Sequence, residues 1–174
     1  MTDRMLRILD RCTAAVLLLW VGAALGFGIL MAPVLFQQLP SRDVAGHLAG
    51  LVVGRLDWAA WAAFGLAGLS WGARWFAGAK EEVIGPLRLW SAAWLVALVM
   101  CLASSAVITP KIHDIRARIA APIESLAPEH PDRAAYDKAH TLSRQLFFLR
   151  ILLALGLAAT VGLLPRAPEG EPGS

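Results

Sequence analysis

The side chains able to do chemistry in this chain are few and widely spaced. Four histidines, His47, His113, His130 and His140, are of the type that ligates a metal or haem. None lies three or four residues from another, and no Cys or carboxylate completes a ligand spacing, so the local metal signal is weak. Only His113 and His140, at the facing ends of two apolar stretches, could meet across a helix bundle. Asp57 with His140 would form an acid–base pair. No GxSxG, HExxH, P-loop or GxGxxG pattern accompanies them. Ser104, Ser105 and Thr109, beside Pro110, complete the polar residues set in an apolar context.

The elements that position these residues are apolar and long. Of the 174 residues, 57% are hydrophobic, against about 45–50% in an average soluble domain. The excess is gathered in runs, which is the pattern of membrane spans. The net charge of +3 comes from Lys and Arg scattered over the loops, which speaks of lipid contact and orientation and excludes a nucleic-acid face. Cys12 and Cys101 belong at different membrane depths, so no disulfide is expected. Arg4, Arg7 and Arg11 before an apolar run imitate a signal peptide, but the uncharged run from Cys12 to Ser41 is far longer than a signal h-region of about 7–15 residues.

The expected fold class is therefore all-α: a polytopic membrane protein, a four-transmembrane-helix bundle in one domain over residues 1–164. Spans are expected at about 13–36, 51–75, 87–109 and 145–164, with a disordered Pro/Gly/Glu-rich tail at 165–174. Gly22 with Gly26, and Ala24 with Gly28, give the first span two small-xxx-small pairs suited to close helix approach. Pro33 kinks or ends it. Leu39-Pro40-Ser41 would cap a short helix holding Ala45, His47 and Leu48. Trp71, Trp75, Trp90 and Trp94 would form an aromatic belt at one interface, with Trp58 and Trp61 at the other. After Pro110, Ile112, Ile115, Ile119, Ile123 and Leu126 recur at helical spacing between charges, predicting an amphipathic helix between spans three and four. Asp132 is the expected N-cap of the last helix.

Four spans put both termini on one side. The basic flank of the first span favours the cytoplasm, in a bacterial inner membrane. The same topology gathers Pro33, Gln37, Asp57, Ser104, Ser105, Thr109, Pro110, His113, His140, Ser143 and Arg150 at one face, as a polar vestibule, and leaves the other half of the bundle almost purely apolar. The plainer reading stands beside it. Arg55 and Arg150 snorkel to headgroups, Asp57 pairs with Arg55, Arg144 or Arg150, and the hydroxyls bond their own helix backbone.

Several short motifs, taken in order, resemble the transmembrane protein 205-like family (domain of unknown function 4149). They are Ala32-Pro33-Val34-Leu35-Phe36, Ala45-Gly46, Thr109-Pro110-Lys111-Ile112, and Tyr136, His140 and Ser143 at the opening of the last span. Tyr136 stands where the pattern has Phe, and Arg144-Gln145-Leu146 replaces an Asn-containing stretch. The resemblance covers roughly residues 13 to 164 and implies a four-span membrane protein with no catalytic assignment. The expected function is a non-enzymatic accessory or helix-binding protein, with the bilayer and another helix or a second copy as partners. No cofactor and no nucleic acid is expected. The alternatives are a small oligomeric transporter and a haem or metal protein using His113 and His140.

Overall fold

The computed structural model describes residues 3–76, 84–119 and 121–161. The expected tail at 165–174 lies outside the described residues, as does most of the loop expected at 76–86. The described chain is helical, with no strand among the described residues. Helix α1 (Asp3–Gly26) runs into a π turn (Phe27–Met31) and a short helix α2 (Ala32–Gln38). Helix α3 is Arg42–Phe76. Helix α4 (Ile84–Ala103) runs into a second π turn (Ser104–Ile108) and helix α5 (Thr109–Arg118). A single 3-10 turn, Ile123–Ser125, precedes helix α6 (Pro131–Thr160).

Both π turns have one local cause. Pro33 and Pro110 stand in the first turn of the helices that follow. Proline supplies no N–H, and its ring clashes with the carbonyl four residues back. The wider turn relieves the crowding: Ala32 N–H bonds Phe27 O, and Thr109 N–H bonds Ser104 O, each five residues back. Neither rod is broken. The stretches Arg4–Gln38 and Arg88–Arg118 each remain one helical rod.

The long helices bury heptad seams. In α1, Leu6, Asp10, Thr13, Leu17, Trp20 and Ala24 are buried at alternating four- and three-residue steps, the geometry of left-handed helix packing. Alanines such as Ala60, Ala63, Ala97 and Ala154 let the rods close tightly. Asp10 meets Ser70 and Trp20 meets Leu56, so α1 and α3 are antiparallel. Trp94 meets Phe64 and Ser104 meets Asp57, so α4 runs against α3. Cys101 meets Arg150, and Ala106 shares a groove with Ala135, so α6 runs against α4. α1 touches α3 and α6, and α4 touches the same two, so α1 stands diagonally across from α4.

The outward faces are apolar. Leu19, Leu30 and Leu89 are 72%, 69% and 76% exposed, an arrangement suited to lipid rather than water. Three helical stretches are long and apolar enough to cross a membrane: Arg4–Gln38, Arg88–Arg118 and Pro131–Thr160. The 35-residue α3 is not among them. Arg55 and Asp57 interrupt it, and Gly, Ala and Trp replace long aliphatics along it.

Several sequence expectations are revised. The short helix around Ala45 and His47 is the first part of α3, opened by Ser41, whose Oγ accepts the Val44 N–H at 3.2 Å. The helix after Pro110 ends at Arg118, where Ile119 turns extended, so Ile123 and Leu126 fall in an irregular connection. The N-cap of α6 is His130, whose Nδ1 accepts the Asp132 N–H at 3.2 Å; Asp132 lies inside the first turn. Of the expected belt, Trp90 is buried and Trp94 stacks on Trp71 at 5.8 Å, so both turn into the bundle.

Candidate functional site

The centre of the bundle holds an ion pair. Asp57 on α3 and Arg150 on α6 occupy diagonal helices, and only the length of the arginine spans the gap. Arg150 Nη2 donates to Asp57 Oδ1 at 2.7 Å. Ser104, the first residue of the second π turn, donates its hydroxyl to Asp57 Oδ2 at 3.2 Å. Arg150 Nη1 points at Cys101 Sγ, 3.7 Å away on the last turn of α4. The guanidinium lies over the Phe147 ring, 5.6 Å from its centroid. Arg150 is 1% exposed and Asp57 5%. Arg150 therefore does not snorkel: it takes a place on the buried seam of α6 with Ile151, Ala154 and Leu157.

A lone charge at this depth is costly, whereas a hydrogen-bonded pair presents no net charge to its surroundings. Both Asp57 oxygens are occupied, so the carboxylate is committed to holding α3, α4 and α6 together. Arg150 Nε has no hydrogen-bond partner among the described residues.

The remaining vestibule candidates do not join this cluster. Ser105 bonds its own helix, donating to Cys101 O at 2.8 Å, and Thr109 is half-buried in the first turn of α5. Pro33, Gln37, Pro110 and His113 are exposed. His140 is exposed and stacks on Tyr136 one turn earlier, with ring centroids 5.8 Å apart, and Ser143 is half-buried on the same helix. Neither an Asp57–His140 pair nor a His113–His140 pair forms. No group of three metal-ligating side chains clusters among the described residues.

A second polar cluster lies at the opposite end, expected from the sequence to be almost purely apolar. Asp10, Thr13 and Ser70 are buried there, and Ser70 Oγ donates to Asp10 Oδ1 at 3.3 Å. Asp10 hides in the basic flank before the first apolar run. The heptad spacing from Leu6 through Asp10 to Thr13 and Leu17 is the signal that could have found it.

The rim near the ion pair is organised by Arg116 of α5. Its Nη2 reaches Asp43 Oδ1 at 3.0 Å, and its guanidinium covers the Tyr136 ring at 5.5 Å. A Cβ on Gly46 would lie 3.0 Å from the same Nη2. Gly46 and Tyr136, far apart in sequence, thus meet around one arginine. Arg118 reaches Asp132 at 3.6 Å.

These observations define an all-helical protein with apolar helices suited to a bilayer and a buried ion pair among them. The chain belongs to the family of the domain of unknown function DUF4149, whose model matches residues 15–121, more than half of the chain. That stretch holds Asp57 and Ser104 but not Arg150. Comparison with curated proteins and with solved structures gives no match.

Proposed function

We propose that all the long helices α1, α3, α4 and α6 span the bilayer, α3 being made compatible with it by the Asp57–Arg150 pair, and that the protein acts without catalysis, as a helix-binding subunit of a membrane complex. The observation that supports this is the glycines at four-residue spacing on the outer faces of α1 and α3. Among the described residues, Gly22 and Gly26, and Gly50 and Gly54, have nothing within 4 Å of where a Cβ would stand. No close approach among the described residues requires them, yet each weakens its helix by about 1 kcal/mol relative to alanine. Small residues at this spacing let a second transmembrane helix approach closely enough for backbone contact.

The test is crosslinking in the native membrane, followed by native electrophoresis in mild detergent. The wild-type chain is expected in a complex, and the Gly22→Leu, Gly26→Leu double variant is expected as a folded monomer. A wild-type chain that is monomeric and crosslinks to nothing would overturn the reading.

A further inference from the structure

We infer that the chain is a tandem duplication of one unit, and that its two proline-bearing π turns are matched hinges, the second held shut by the Arg116–Asp43 bridge. The order of elements repeats: long helix, π turn, short helix, connection, long helix. The match holds at the two π turns, the two prolines and part of the buried seam, while Leu17 and Val21 fall on half-buried Trp94 and Leu98. One constant shift carries Phe27–Met31 onto Ser104–Ile108 and Pro33 onto Pro110. The same shift carries buried Thr13 onto Trp90, Trp20 onto Ala97, and Ala24 onto Cys101, all of them buried.

A second constant shift, larger because the α5–α6 connection is longer, superposes the buried faces of α3 and α6. Ala45 falls on Ala139, Leu56 on Arg150, Asp57 on Ile151, Ala60 on Ala154, Ala63 on Leu157 and Ala67 on Val161, and all twelve are buried. The packing follows the same rule. α1 and α4 each touch both α3 and α6, α2 lies on α3, and α5 lies on α6. A pseudo-twofold axis along the bundle produces this pattern, and the Asp57–Arg150 pair joins the two helices that it exchanges.

The hinge follows from the backbone. A π turn ahead of a proline lacks one donor of the helical ladder and is a site where helices bend. Beyond each turn lies a short arm, α2 or α5. The arms differ in what restrains them. No residue of the first π turn or of α2 is buried. α5 buries Ile115, and its Arg116 crosses to Asp43 on α3, the first long-helix partner in the other half. That bridge is partly exposed, with side chains 22% and 50% accessible, and Arg118 of the same arm reaches Asp132 of α6 at 3.6 Å as a weaker second restraint. The device is independent of any helix partner.

The experiment places spin labels at Gln37 and Asp114, exposed residues that the first shift superposes, and measures their separation by double electron–electron resonance in lipid nanodiscs. Arg116→Gln is expected to broaden the distance distribution at least twofold. Adding Pro110→Ala, which restores the missing donor, is expected to return it to the wild-type width. Pro33→Ala is expected to narrow it alone; Pro33 is exposed, so this variant tests a joint without disturbing the core. An Arg116→Gln distribution as narrow as wild type, or proline variants that leave the widths unchanged in a chain of normal helical content, would overturn the inference.

Discussion

Arg150 is worth most when its partner is present. Removing Asp57 alone leaves a guanidinium buried among apolar side chains, and removing Arg150 alone leaves a carboxylate there. Breaking one side of such a pair costs about 3–5 kcal/mol, whereas replacing both sides with apolar groups of similar volume is often neutral. Asp57→Leu and Arg150→Met are therefore each expected to lower stability by about 3–5 kcal/mol, and the double variant to recover most of the loss. Denaturant titration in detergent, followed by tryptophan fluorescence, measures it. A loss in the double variant equal to the sum of the two single losses would contradict the pairing. At this scale the sequence was partly legible. A carboxylate in α3 needing a basic partner could be read from composition alone, and Arg150 was among the candidates. Its rotation on α6 could not, because the uncharged run up to Arg166 is short and suggested a rim position. The buried seam of α6 decides the matter, and that seam depends on the neighbours.

Glycines within one helix play opposite parts. A Cβ on Gly68 would lie 2.5 Å from Trp94 Cζ2, and the indole is anchored there by its N–H, which donates to Phe64 O at 2.7 Å. Gly65, one turn away, faces open space. Gly68→Ala is expected to cost about 1–3 kcal/mol by overpacking against that ring. Gly65→Ala is expected to gain up to about 1 kcal/mol from helix propensity. Thermal unfolding in detergent separates the two, and equal shifts would show that Trp94 does not depend on Gly68. The helices themselves were legible from apolar runs and prolines, but their ends were not. α3 begins at Arg42 and α6 at Pro131, well before their apolar stretches, because Ser41 and His130 accept backbone N–H groups and start the helices in polar sequence. The Ile spacing after Arg118 suggested more helix than forms, since Ile119 and Pro122 adopt extended backbone.

Over the whole molecule, the all-α class was legible from composition, while the paired halves were hidden. The two units share few residue types at matched positions, Leu56 against Arg150 being one example, and the likeness lies in which positions are buried. The glycines carry the difference between the halves. At the positions that superpose on Gly22 and Gly54, the second half has Val99 and Phe148. One side of the bundle thus carries small residues where the other carries bulky ones, the difference on which the proposed helix-binding role rests. The ion pair has a further consequence, for biosynthesis. Arg150 follows Asp57 by 93 residues, so α3 leaves the ribosome long before its counter-charge exists. With α3 as a span, as proposed above, its aspartate costs about 2.5–3.5 kcal/mol on insertion. A nascent chain ending at residue 140 is expected to leave α3 outside the bilayer, accessible to a membrane-impermeant thiol reagent through a cysteine placed at Trp58, while the full chain protects that cysteine. Arg150→Met in the full chain should behave like the truncation. Equal protection in all of them would show that α3 enters unaided. Protection of the full chain alone would show that insertion of the first half depends on the counter-charge carried by the second.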